Sequence, residues 1–248
     1  MRTLWLGSRA ALFYFGYSLL TVWFSVTGII FCRQMSYRKR YTYLTWWNHA
    51  VMYWLRLICG VRVQVYGREH LPAGPFVLLS KHQSQWETFI LQVLHPPMVT
   101  VLKKELLDVP FFGWGMRLLE PICIDRSNPK QALRAVMEQG QEQLARGRSI
   151  MIFPEGTRTP VGQVGNYARS GATLACKAGV PIVPVAHNAG RYWPSKRFIK
   201  YPGVIQMVIG APIDTTGRDG KELTDAVKDW IESEIVRIDA SFNATERG

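Results

Sequence analysis

The chain has 248 residues, 48% of them hydrophobic and 19% charged, with a formal net charge of +12; that length suits one sizeable core, or one domain with an appendage. The charge is lopsided. No Asp or Glu precedes Glu69, while Arg2, Arg9, Arg33, Arg38, Lys39, Arg40, Arg56, Arg62 and Arg68 share that region with Trp5, Trp23, Trp46, Trp47 and Trp54, a mixture that suits an anionic membrane surface.

There is no zinc-finger spacing, aromatic RNA-binding signature or Lys/Arg-dense tail, so nucleic acid is not an expected partner. Cys32, Cys59, Cys123 and Cys176 stand far apart, without a C-x-x-C pair or a His at ligand spacing. They read as free thiols of a reducing compartment, and no metal site is expected.

From Ala10 to Cys32 the sequence carries no charge, and a helix of that length can cross a hydrocarbon core of roughly 30 Å. The stretch is long for a signal peptide and no small-x-small cleavage site follows it, which favours an uncleaved anchor. Gly16, Ser18, Thr21, Ser25, Thr27 and Gly28 lower its hydrophobicity and leave open a helix lying in one leaflet. Arg33, Arg38, Lys39 and Arg40 follow it, so the positive-inside rule puts the main body on the cytoplasmic side, and the expected location is a bacterial inner membrane. Between Tyr41 and Ile58 apolar residues recur near helical spacing, predicting a second, surface-packed helix in which His49 is an interfacial polar residue.

Beyond Gly60 short apolar runs alternate with helical stretches. Strands are expected over 61–66, 76–80, 98–102, 122–124, 149–153, 181–186 and 204–209, and helices over 86–94, 129–145, 172–178 and 221–242, with 109–113 turn-rich. The chain is therefore expected to divide into membrane-anchoring helices over residues 1–60 and one α/β domain over 61–248. That domain would have a mostly parallel or mixed central sheet flanked by helices, with polar loops at strand ends, where open α/β sheets place their sites.

Two such loops carry chemistry. His82 follows the buried run Phe76-Val77-Leu78-Leu79-Ser80, and Glu87 lies five residues on. Imidazole is the side chain that titrates nearest neutrality, and a carboxylate can fix its tautomer. Five residues of regular helix turn through about 500°, so the pair can meet only if the chain changes conformation between them. On that hexapeptide alone, a surface His before a helix that begins with Glu is the simpler reading. The second loop is Phe153-Pro154-Glu155-Gly156-Thr157-Arg158, in which Gly permits close backbone approach and Arg offers a planar fork of donors for phosphate. Lys103 and Arg126 also follow strands; each can add charge around the same anion or equally be a solvated loop cation, the commoner fate of Lys. His95 and His187 have no carboxylate at a persuasive spacing and read as structural. Without G-x-S-x-G, G-x-x-x-x-G-K-[ST], a complete G-x-G-x-x-G or H-E-x-x-H, a serine hydrolase, a nucleotide-driven enzyme and a zincin lack their basic equipment.

His82 to Glu87, Lys103-Lys104-Glu105-Leu106 with Pro110-Phe111-Phe112-Gly113, Ile124-Asp125-Arg126, Phe153 to Arg158 and Val180-Pro181-Ile182-Val183-Pro184-Val185 together resemble the ordered blocks of the glycerolipid acyltransferases. The resemblance covers about residues 67 to 209, and it departs in one place: Glu87 stands where the family usually has Asp. It implies acyl transfer from acyl-CoA or acyl-carrier protein to the hydroxyl of a lysophospholipid at a membrane surface, without a cofactor or metal. His82 and Glu87 would be catalytic. Glu155, Gly156, Thr157, Arg158, Lys103 and Arg126 would hold the glycerol phosphate, and backbone donors near Gly156 or along Val180 to Val185 would face the oxyanion. A different lysolipid or glycerol 3-phosphate as acceptor, a thioesterase or lipid hydrolase that activates water, and a non-catalytic membrane module are the competing readings.

Overall fold

A computed structural model describes residues 2–245. Its strands are β1 (Val61–Tyr66), β2 (Val77–Ser80), β3 (Met98–Lys103), β4 (Ile122–Ile124), β5 (Ser149–Ile152), β6 (Ile182–His187) and β7 (Gly203–Ile209). Its helices are α1 (Arg2–Phe31), α2 (Tyr37–Cys59), α3 (Trp86–Leu94), α4 (Phe112–Arg117), α5 (Pro129–Ala145), α6 (Ser170–Ala178), α7 (Ala189–Tyr192) and α8 (Gly220–Thr245).

The seven strands form one sheet in the order β1-β7-β6-β2-β5-β3-β4. All neighbours are parallel except β6 and β7, which run antiparallel, so the mixed sheet expected from the sequence is present. Parallel strands are covered on both faces and therefore read as unbroken apolar runs. The pleat sorts those runs: Phe76, Leu78, Met151, Val183 and Val185 join one apolar cluster, and Val77, Leu79, Ile150, Ile152 and Ile182 join the other. Helices α5, α6 and α8 cover the second face through Val136, Leu144, Leu174, Leu223, Val227 and Ile231.

The first face is closed by the N-terminal helices. Phe13 from α1 and Trp47, Val51 and Leu55 from α2 are buried in the same cluster as Trp86, Phe89 and Trp193, and the rings of Phe13 and Trp193 meet edge to face at 5.2 Å. The two helices touch closely where α1 has glycine: a Cβ on Gly16 would lie 2.2 Å from Trp54 Nε1. The sequence places a boundary at Gly60, where α2 ends, and the apolar cluster runs across it.

Helix α1 starts at Arg2, before the uncharged stretch, and the Nε of Arg9 donates to Ile58 O at the end of α2. The turn-rich segment after β3 contains α4, which Pro110 and two glycines hid. Tertiary contacts override the weak helical preference there: Gly115 lies against Ser25 of α1, and Met116 and Leu119 are buried beside Tyr41 and Leu44 of α2.

Candidate active site

Strands β6, β2, β5, β3 and β4 all point the same way, so their carboxyl ends share one edge of the sheet. That edge receives His82 after β2, Glu155 to Arg158 after β5, His187 at the end of β6, Lys103 at the end of β3 and Arg126 after β4, as expected for a site in an open α/β sheet.

The chain breaks between β2 and α3 as the His/Glu spacing required. Glu87 sits in the first turn of α3, fully buried, and its Oε1 accepts from Gln83 N at 2.9 Å, Ser84 N at 2.7 Å and His82 Nδ1 at 2.8 Å. The two amides tie the carboxylate back over the helix start, much as a capping box does. Burial pushes the carboxyl up, but His187, His82 and the Ser84 amide outweigh it, and the group is held below its usual range. An ionised carboxylate can only accept, so the proton of His82 sits on Nδ1 and the Nε2 lone pair is free to take another. The ring stacks on Phe153, with centroids 4.0 Å apart and planes inclined by 17°, and only 10% of the side chain is exposed.

Hydrogen bonds tie the β2 and β5 loops together. His82 N donates to Glu155 Oε2 at 2.9 Å, Thr159 N donates to His82 O at 2.7 Å, and Arg158 Nε donates to Ser84 O at 2.7 Å. Glu155, expected beside the glycerol phosphate, is turned inward: Oε1 accepts from Lys81 Nζ at 2.9 Å and from Gly165 N at 3.1 Å. Lys81 is itself fully buried and also reaches Glu232 Oε1 of α8 at 2.7 Å, which accepts in addition from Tyr167. Glu155 thus orients the His82 backbone, leaving Gly156, Thr157 and Arg158 as the outward part of the box. Gly156 and Thr157 are exposed, and Gly156 has φ +66°, a turn conformation suited to glycine.

Arg158 has no bond from its terminal nitrogens among the described residues, and Arg126 makes no hydrogen bond or ion pair there. Burial, then the nearby positive charge of Arg158, lowers the pKa of Arg126, and the Glu105 carboxylate offsets this only in part, so the two guanidiniums make a positive site. Lys103 is exposed at the rim, whereas Lys104 pairs with Asp125. Of the backbone donors in the two stretches named for the oxyanion, Gly156 N closes a turn onto Phe153 O, Val180 N donates to Ala175 O and Ile182 N to Ile213 O. Among the described residues no group of three or more His, Cys, Asp or Glu is placed to hold a metal ion.

Residues 62–188 match the family model described as Acyltransferase, and the chain is 44% identical over 236 residues to a 1-acyl-sn-glycerol-3-phosphate acyltransferase of Pseudomonas aeruginosa, covering 93% of this chain and 91% of that one. The chain belongs to the acyltransferase family. The mouse protein named 1-acyl-sn-glycerol-3-phosphate acyltransferase alpha is 28% identical over 91% of this chain and 81% of its own. The crystal structure of a Thermotoga maritima 1-acyl-sn-glycerophosphate acyltransferase superposes with a TM-score of 0.81 at 24% identity, over 97% of this chain and 98% of that one. It shares the fold.

In this acyltransferase the sequence pointed to His82, Glu87 and Arg158 but not to Lys81, Tyr167, Glu232 or His187. Lys81 and Glu232 are far apart along the chain and meet only through the sheet. His187 had a readable signal: β2 and β6 pair Ser80 with Val185, so the residues two places beyond, His82 and His187, leave the sheet side by side. The Lys81 network yields a stability prediction. Lys81→Ala leaves Glu155 buried without its cation, and a loss of about 3–5 kcal/mol is expected; an unchanged thermal unfolding midpoint in detergent would show the ion pair to be dispensable.

Proposed function

We propose that this acyltransferase moves a fatty acyl group from a thioester donor, acyl-CoA or acyl-carrier protein, to the sn-2 hydroxyl of 1-acyl-glycerol 3-phosphate, giving phosphatidate for phospholipid biosynthesis. The observation that carries the reading is the orientation of His82: Nδ1 is held by a buried carboxylate, which leaves Nε2 as a base at the outer edge of the ring. A hydroxyl is a poor nucleophile at neutral pH, so Nε2 takes its proton as the oxygen attacks the thioester carbonyl. Glu87 stabilises the imidazolium that forms, as the acid of a triad does. Collapse of the tetrahedral adduct breaks the carbon–sulfur bond, and the imidazolium returns its proton to the departing thiolate. The nucleophile belongs to the acceptor, and no acyl-enzyme forms.

Arg158 and Arg126, with Lys103 at the rim, are the groups we assign to the acceptor phosphate; two neighbouring guanidiniums that form no ion pair among the described residues favour a dianion. The names of the relatives from Pseudomonas aeruginosa and mouse support this acceptor. The N-terminal helices bring the site to the lipid. Along α1, Leu6, Ala10, Phe13, Ser25 and Gly28 are buried against the rest of the chain, while Leu4, Trp5, Leu12, Phe15, Leu19, Trp23, Ile30 and Phe31 are exposed. A helix flanked by its own domain over that length fits immersion in one leaflet better than a free crossing. Trp46, Tyr53 and Leu57 of α2 and Trp114 of α4 add to the exposed apolar surface. We assign the body to the cytoplasmic face of a bacterial inner membrane; the basic flank after α1, suited to an anionic leaflet surface, supports that side.

The purified protein in detergent micelles, given acyl-CoA with and without lysophosphatidate, is expected to form phosphatidate only with the acceptor. Release of fatty acid without acceptor would instead make it a hydrolase. His82→Ala should lower turnover by about 10²-fold or more, and near-normal turnover would remove the base. Arg158→Ala is expected to raise the acceptor KM much more than it lowers kcat; an unchanged KM would take Arg158 out of the phosphate site. High-salt washing is expected to leave the protein on vesicles of anionic lipid, and release by salt alone would argue for electrostatic adsorption without immersion.

A further inference from the structure

The three donors at Glu87 all meet one oxygen. The other, Oε2, is buried and has no hydrogen-bond partner among the described residues, an arrangement that is costly for a carboxylate unless a dipole or charge faces it. What faces it is His187, whose Nε2 lies 3.9 Å from Oε2 and 2.9 Å from Lys81 O. Ala189 N donates to Nδ1 of that ring at 3.3 Å, so Nδ1 is an acceptor and the hydrogen is on Nε2. Nε2–H donates to the Lys81 carbonyl with its positive edge towards Oε2. The ring is wholly buried and meets Trp86 of α3 edge to face at 5.7 Å; burial depresses its basicity, and the Ala189 amide donating to Nδ1 suits the neutral ring.

We propose that His187 is a positioning residue for acyl transfer, a second imidazole behind Glu87 whose N–H faces Oε2 and keeps Oε1 on His82. The inference rests on the reading of His82 as the base. The charged and titratable groups around the pair are few. His82 from the β2 loop and His187 from β6 face Glu87 directly, Glu155 from the β5 loop lies beyond them, and the Lys81 ammonium is turned away to Glu155 and Glu232. Among the described residues no Lys or Arg pairs with Oε2, which leaves a neutral, fixed N–H to orient the carboxylate without removing the negative charge that His82 needs when it becomes imidazolium. At 3.9 Å the contact is too long for a hydrogen bond; it acts through the field of the ring dipole in a dry interior, where such fields are strong. The same placement gives the extra methylene of Glu87 a use, since the longer arm leaves its second oxygen near the end of β6.

The test compares His187→Phe, which keeps a ring of similar shape without the donor, with His187→Gln, whose amide can reach the same place. Both are assayed in micelles with acyl-CoA and lysophosphatidate, with kcat, KM, the pH profile and the unfolding midpoint measured. His187→Phe is expected to lose kcat by roughly tenfold with little change in acceptor KM. Its acid limb is expected at higher pH, because a buried Glu87 with no facing N–H protonates more readily and the active ionised form is lost sooner as pH falls. His187→Gln is expected to recover most of both. Equal loss in the two variants with an unmoved acid limb, or wild-type kcat and acid limb in His187→Phe at any unfolding midpoint, would overturn the proposal. His82→Ala run alongside separates the two claims: if it keeps turnover the base itself is wrong, and if it is dead while His187→Phe is unaffected only the role of His187 fails.

Discussion

A single oxygen, Glu87 Oε1, shapes the business end of this molecule. Three donors converge on it within one short loop, two from the backbone and one from His82. A buried carboxylate that lacked them would face a desolvation cost of several kcal/mol, so the loop closes around the charge, and closing it sets the direction of the imidazole. Loop conformation, helix start and base orientation are therefore one event. Phe153, stacked on the ring from the β5 loop, removes the remaining freedom of rotation by filling one face.

The second buried charge works differently. Lys81, next to His82 in sequence, points to the opposite side of the loop, where Glu155, Glu232 and the Gln163 carbonyl surround it. Replacing a buried ion pair by apolar residues is often neutral or stabilising, so raw stability is a poor reason for this network. What it does is geometric. Glu155 is bonded at once to Lys81 and to the His82 amide, and Glu232 brings α8 to the same point. The acyltransferase thereby fixes the backbone of His82 from the second sheet face while the Glu87 carboxylate fixes its side chain from the first.

Most of the architecture could be read from the chain because parallel strands with two covered faces leave continuous apolar runs, as in Phe76 to Ser80, Ser149 to Ile152 and Ile182 to Ala186. Helix α4 was hidden because its stability lies in contacts with α1 and α2 and not in its own residues. At the candidate site, position after a buried strand drew attention to His82, Glu87 and the Arg158 box, and the resemblance to the acyltransferase blocks supplied their expected roles. Glu155 could be assigned to the site but not to its partner, since nothing local tells an inward carboxylate from an outward one. His187 was passed over because only carboxylates near in sequence were weighed. Its carboxylate comes from a different crossover, and the parallel pairing of β2 and β6 is what makes them neighbours.

Glutamate in place of the aspartate usual for the family's motif adds one rotatable bond to a group whose position must be held closely. A freer side chain costs more entropy to order, and a misdirected carboxylate would let the imidazole turn. Here that freedom is removed from outside the residue: complete burial, two amides and His82 on Oε1, and Trp86 and His187 packed behind it. A short arm is stiff by itself, whereas a long arm must be braced at its far end. The bracing explains why the polar shell here extends one layer deeper, to the end of β6, than a His and a carboxylate alone would require.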